Sequence, residues 1–171
     1  MHMNKRNRDL YMDIASRCAL MSRAVRLKVG AIIVKDDRII SMSWNGTPTG
    51  WDNNCETEDW NLEDNPSTEI TPEWPYKGPY TDTSGNTITR LYKLKTKPEV
   101  LHAESNCVSK LAKSSESGNG STMFVTHSPC IECAKLIYQS GINHVFYIQN
   151  YRDNSGINFL QKSGVTVEQI K

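Results

Sequence analysis

The sequence predicts a three-layer α/β domain, in which a mixed five-stranded sheet carries a β-hairpin at one side and helices on both faces. Three observations predict it. A helical segment leads into two hydrophobic strands joined by a short polar turn, and the C-terminal third alternates strand and helix through two crossovers. The length, 171 residues, is enough for one sizeable core.

The opening helix is expected over Arg8 to Val25, with Leu10, Ile14 and Cys18 at helical spacing and Tyr11, Ala15 and Ala19 beside them. Arg23, Arg26 and Lys28 mark the exit into a strand, Val29 to Val34, where Gly30 permits close backbone approach. Lys35-Asp36-Asp37 turns the chain and Arg38 to Trp44 returns, with Ile32, Val34, Ile39 and Ile40 as core contacts. A regular rhythm resumes at His102, which opens a helix expected to reach Ser115. Then come a strand from Ser121 to Thr126, a helix from Cys130 to Gln139 closed by Gly141, and a strand from Val145 to Gln149. A helix from Asn154 to Lys162 and a last strand from Val165 to Ile170 complete the chain, and the crossovers imply parallel pairing.

The whole chain, 1–171, reads as one domain with an irregular insertion at about 51–98. Most of the prolines fall in or beside it. No lysine or arginine occurs from Ile39 to Tyr76, whereas acids recur from Asp52 to Glu73, which argues against a track for nucleic acid. Trp51, Trp60 and Trp74 read as anchors that pin the insertion to the domain or to a neighbouring subunit. Lys93, Lys95 and Lys97 alternate, as residues on one face of an extended segment do.

A net charge of +1 and a pI near 7.6 suit a small nucleotide better than a polyanion. Nothing resembles a membrane span or a secretory signal, and five cysteines without a regular framework suit a reducing, cytoplasmic compartment. His127 reads as a solvent-facing residue at a strand end, with contact to a ligand as the alternative, and His144 as an exposed residue in the turn before a strand.

Two short stretches carry chemistry: His102-Ala103-Glu104 and Pro129-Cys130-Ile131-Glu132-Cys133. A hydrolytic zinc site takes three nitrogen or sulfur ligands and leaves the fourth position to water. His102, Cys130 and Cys133 make three, and Glu104 stands close enough to carry protons for that water. This is the H-x-E…P-C-x-x-C signature of zinc-dependent base deaminases. A C-x-x-C alone would equally suit a redox pair or half of a structural zinc site. The redox reading leaves H-x-E unexplained, and a structural site wants a fourth ligand that Cys18, Cys55 and Cys107 do not offer at pair spacing. Cys107 is expected to face away and pack as a small apolar residue. Both halves of the motif begin helices, whose positive ends favour thiolates.

His102-Ala103-Glu104, Ser128 to Lys135 and Gln139-Ser140-Gly141-Ile142 resemble the deoxycytidylate (dCMP) deaminase family of the cytidine deaminase-like superfamily. So do Val29 to Val34 and the run from Ile39 through Asn45-Gly46-Thr47-Pro48-Thr49-Gly50. The resemblance implies a cytidine deaminase-like fold and hydrolysis of dCMP to dUMP and ammonia by a zinc-activated water with Glu104 as proton shuttle, feeding dTMP synthesis. It implies one catalytic Zn2+, with Asn45, Ala103, Ser128 and Tyr151 around the nucleotide; Arg26 and Lys28, basic residues at the exit of the first helix, are assigned to its 5′-phosphate. It further implies a homo-oligomer, commonly a hexamer, activated by dCTP and inhibited by dTTP with Mg2+, for which Gly46, Gly50, Trp51, Asp52 and Asn53 are the regulatory candidates. No nucleic acid or membrane partner is implied. The alternatives are a deaminase acting also on dCTP, or a polynucleotide cytidine or adenosine deaminase.

Overall fold

The computed structural model describes residues 3–60 and 76–170. Two compact units share the chain: one comprises Met1–Ser22, Lys28–Gly46 and Leu101–Lys171, the other Arg23–Leu27 and Thr47–Val100.

In the first unit, α1 (Lys5–Ala19) starts three residues before the expected point because the Asn4 side chain accepts the Asn7 N–H at 2.9 Å, a cap the helical spacing alone does not reveal. It also ends six residues before Val25. Leu20, Met21 and Ser22 each donate three residues back, tightening the last turn, and Ser22 Oγ donates to the Asn45 carbonyl at 2.8 Å. β1 (Gly30–Lys35) and β2 (Arg38–Trp44) form the hairpin, with Asp36 and Asp37 at φ of 49° and 56°, the left-handed pair of a two-residue turn. A bulge shifts the register so that Val34 faces Ile39 and Ile33 faces Ser41. Ile39 is consequently 37% exposed rather than a core contact.

Behind the hairpin follow α2 (Ala103–Leu111), β3 (Thr122–His127), α3 (Ile131–Gln139), β4 (His144–Gln149), α4 (Ser155–Lys162) and β5 (Thr166–Gln169). α2 stops four residues before Ser115, where Lys113 and Ser114 fold back in single turns. The sheet order is β2-β1-β3-β4-β5, antiparallel up to the β1/β3 pair and parallel after it. Strand alternation sorts the core into two layers. Ile32, Val34, Phe124 and Phe146 pack with Tyr11, Met12, Ala15 and Cys18 of α1, while Ala31, Ile33, Met123, Val125 and Val145 pack with α2, α3 and α4. Gly30 makes the first layer close: a Cβ there would stand 2.1 Å from the Ala15 carbonyl oxygen.

The second unit is more regular than expected. Strands β6 (Glu56–Asp59), β7 (Tyr76–Thr81) and β8 (Thr87–Thr96) form an antiparallel sheet in the order β6-β8-β7. Trp60 packs against Tyr80 and Tyr92 over the space left by Gly78, an aromatic cluster that alternation in a short polar stretch does not announce. Lys93 and Lys95 are exposed on one face, as their spacing implies. Trp51 is 59% exposed rather than packed as an anchor among the described residues, and Trp74 lies outside them.

Candidate active site

Strand register brings the motif residues to one end of the sheet. β3 and β4 run in parallel towards Ser128 and Asn150; β1, antiparallel to β3, starts at that end with Val29, and β2, antiparallel to β1, finishes there with Asn45. Sites in open α/β sheets gather beyond the carboxyl ends of the parallel strands.

α2 and α3 begin here, with His102 and Cys130 as their N-cap residues in extended backbone conformation. Neither side chain caps its own helix. Instead, His102 Nδ1 lies 3.6 Å from Cys130 Sγ and 3.4 Å from Cys133 Sγ, and the three ligand atoms are all within 4.8 Å of one another. Zinc bonds of about 2.05 Å to nitrogen and about 2.3 Å to sulfur at a tetrahedral angle imply an N···S separation of about 3.6 Å. The donor set and its spacing fit zinc.

The electrostatics match. Glu104, second residue of α2, is 5% exposed, and burial pushes its carboxyl up to about 7 although its own backbone N–H and His102 pull the other way. The hydrogen bond from Cys133 holds the Cys130 thiol well below its usual range, with His102 adding to it; the same bond, with burial, pushes Cys133 up. The thiolate form of Cys130, the N-cap of α3, is favoured both by these neighbours and by the helix N-terminus.

Other nominated residues join through the backbone. Gly46 and Leu101 exchange hydrogen bonds of 3.1 and 2.9 Å, tying the residue after Asn45 to the residue before His102. Ser128 is buried, and its Oγ accepts the Tyr151 N–H at 2.7 Å. The Ala103 carbonyl is engaged by Ser43 Oγ at 2.5 Å. Arg26 belongs to the second unit, where its Nη1 donates to Thr96 Oγ1 at 2.6 Å and its N–H to Glu56 Oε1 at 3.2 Å; Lys28 is exposed in the first. Gly50, at φ of 90°, Trp51, Asp52 and Asn53 form an exposed loop closed by a bond from Thr47 Oγ1 to the Asp52 carbonyl.

The zinc-binding region of a known family matches this arrangement: the profile described as "Cytidine and deoxycytidylate deaminase zinc-binding region" covers residues 5–149. The chain belongs to the cytidine and deoxycytidylate deaminase family. Within this deaminase family it is 33% identical to the deoxycytidylate deaminase of Enterobacteria phage T2 over 93% of this chain and 89% of that one. It is 31% identical to the Homo sapiens deoxycytidylate deaminase over 85% and 67% of the two chains. It is similar in structure to the cyanophage S-TIM5 dCMP deaminase solved with dCMP and dUMP, with a TM-score of 0.74, 39% identity and coverage of 99% of this chain and all of that one.

Three residues with close backbone contacts to the helices and loop near this deaminase site escape motif reading. Gly156 in α4 lets that helix lie directly on the cysteine loop: a Cβ there would stand 2.0 Å from the Pro129 carbonyl oxygen. An isolated glycine inside a helical pattern was its only signal. Ser41 and Ser43 of β2 are buried and donate to the Cys107 and Ala103 carbonyls at 2.7 and 2.5 Å. Polar residues on the inward face of a strand were the sign. Cys107 packs fully buried in the core, as expected. His127 and His144 differ from expectation: His127 is half-buried with Nδ1 3.1 Å from Thr126 Oγ1, and His144 stacks on Phe146 with Nε2 2.8 Å from Glu168.

Proposed function

We propose that this protein hydrolyses dCMP to dUMP and ammonia. The observation that carries the reading is the placement of His102 Nδ1 at 3.4 and 3.6 Å from two cysteine sulfurs, with the buried Glu104 carboxyl in the adjoining turn. Likeness to deoxycytidylate deaminases along both chains' lengths supports dCMP as the substrate.

His102, Cys130 and Cys133 hold Zn2+, which when bound supplies a Lewis acid that makes water a nucleophile near neutral pH. Glu104 accepts a proton from the attacking water and returns it to N3 of the cytosine as the new C4–O bond forms. The hydroxyl proton on C4 then passes through Glu104 to the amino group, the C4–N4 bond breaks, ammonia leaves and a carbonyl remains. Burial, which raises the carboxyl above its ordinary range, makes Glu104 a better holder of the proton it must pass on. Asn45 and Tyr151 hold the nucleotide, Ala103 and Ser128 meet the base edge through backbone groups, and Arg26 and Lys28 take the 5′-phosphate. The regulatory part of the reading is a homo-oligomer, a hexamer, activated by dCTP and inhibited by dTTP with Mg2+ at the loop of Gly46, Gly50, Trp51, Asp52 and Asn53. Its product would feed dTMP synthesis, and its free cysteines suit a cytoplasmic setting.

The test is a panel of dCMP, dCTP, CMP, deoxycytidine and single-stranded DNA, each with and without dCTP or dTTP, for the native protein and Glu104→Gln. Turnover of dCMP that vanishes in Glu104→Gln while zinc stays bound supports the reading. Activity confined to polynucleotide, or persisting in Glu104→Gln, refutes it.

A further inference from the structure

Helix α2 carries the Glu104 carboxyl, whereas two of the three sulfur and nitrogen ligands come from α3. The relation between carboxyl and metal therefore depends on how α2 is held against the sheet. The part of its buried side nearest the site is made of small residues, Ala103 and Cys107, both fully buried, with Leu111 entering the core only at the far end. Small side chains give close packing but little resistance to sliding, because dispersion contacts are non-directional.

β2 supplies direction. Ser43 is fully buried, and its hydroxyl donates to the Ala103 carbonyl in the first turn of α2, one residue from Glu104. Ser41, two residues back on the same face, repeats the contact one turn further on, at the Cys107 carbonyl. Both carbonyls belong to the helix ladder, which already supplies one partner each, so folding alone does not require either serine. A buried hydroxyl without a partner would be costly, and the helix backbone satisfies both.

We propose that Ser43 is a positioning residue for the deamination step: its hydroxyl fixes the first turn of α2, and thereby the Glu104 carboxyl, relative to the His102, Cys130 and Cys133 triad. This rests on the reading of Glu104 as the proton carrier. A displacement of a catalytic group by about 1 Å costs on the order of 100-fold in rate, whereas substrate affinity, set by other groups, stays. The two serines then differ in consequence although they are alike in chemistry: Ser43 governs the turn that holds Glu104, and Ser41 governs the turn behind it.

The experiment compares Ser43→Ala and Ser41→Ala in steady-state dCMP turnover, bound zinc and urea midpoint, with Glu104→Gln alongside. Ser43→Ala should lose 10-fold or more in kcat, with KM and zinc content unchanged, while Ser41→Ala keeps kcat within about two-fold at a similar loss of stability. Equal kcat losses in the two alanine variants, or native kcat in Ser43→Ala, would overturn the proposal. If Ser43→Ala is not recovered folded, Ser43→Thr carries the test: the hydroxyl remains and kcat should stay near native, and a loss as large as that expected for the alanine variant would count against it. An active Glu104→Gln would instead overturn the reading of the carboxyl, so the two failures are distinguishable.

Discussion

Asn45 and Val29 hold each other by two hydrogen bonds: the Asn45 N–H donates to the Val29 carbonyl at 3.0 Å, and the Asn45 Oδ1 accepts the Val29 N–H at 2.8 Å. The side chain thus locks the end of β2 to the start of β1 at the site end of the sheet. A residue proposed to meet the nucleotide therefore also has a structural duty, and substitutions separate the two. Asn45→Ala should lose about 1–3 kcal/mol of stability, since it leaves a partly buried N–H without its partner. Asn45→Asp keeps the accepting oxygen and should fold with near-native stability while binding dCMP much more weakly. Denaturant melts and KM for both variants decide it; weak binding in neither variant would remove Asn45 from the nucleotide contact.

Gly156 predicts a different kind of failure. A methyl group 2.0 Å from the Pro129 carbonyl oxygen and 2.9 Å from the Cys130 carbonyl carbon cannot be accommodated by a side-chain shift, because both neighbours are backbone. Either α4 or the cysteine loop must move. Gly156→Ala should destabilise by about 1–3 kcal/mol or more, against a helix-propensity gain of about 1 kcal/mol, and should weaken zinc retention. Zinc content after gel filtration against a competing chelator measures the second effect, and native retention would show that the loop does not depend on this contact.

What was legible in the sequence follows from the range over which each signal acts. The convergence of His102, Cys130 and Cys133 was legible because a metal dictates ligand type and helix geometry dictates spacing, and both are local. The hairpin at one side and the parallel pairing of the C-terminal strands were legible because a short turn and two crossovers restrict pairing. The early end of α1 was not, because it depends on Ser22 reaching the Asn45 carbonyl, a contact distant in sequence. The bulge at Ile40 was invisible to alternation, since one extra residue inverts which side chains face inward. Gly156, Ser41 and Ser43 act on the backbone of other elements, so nothing near them in sequence marks their partners.

Removal of the metal should be felt by the fold as well as by the reaction. Three donors converge at two helix starts, and binding to the native state alone stabilises by about 4 kcal/mol when ligand stands 1,000-fold above its Kd. Exhaustive chelation should therefore lower Tm by several degrees and abolish turnover, with both restored by added zinc. Glu104→Gln, which removes no ligand, should show the same Tm shift on chelation as the native protein. A Tm indifferent to chelation would mean that the three atoms do not share an ion.

Far from the site, His144 gives the fold a pH dependence of its own. The ring is half-buried on β4, stacked on Phe146, with Glu168 of β5 at 2.8 Å and Arg8 of α1 in turn 3.5 Å from Glu168. Burial pulls its pKa below the ordinary histidine value, Arg8 adds to that, and Glu168 opposes both without reversing the sign. The unfolded chain, with a histidine pKa near 6.5, then binds more protons than the folded one as pH falls, so this contribution is fully present above about pH 6.5 and is lost below it, through the folded pKa. His144→Gln removes the titration. Urea midpoints measured from pH 7.5 to 5 should fall more steeply for the native protein than for the variant, and parallel curves would show that protonation of this ring costs the fold nothing.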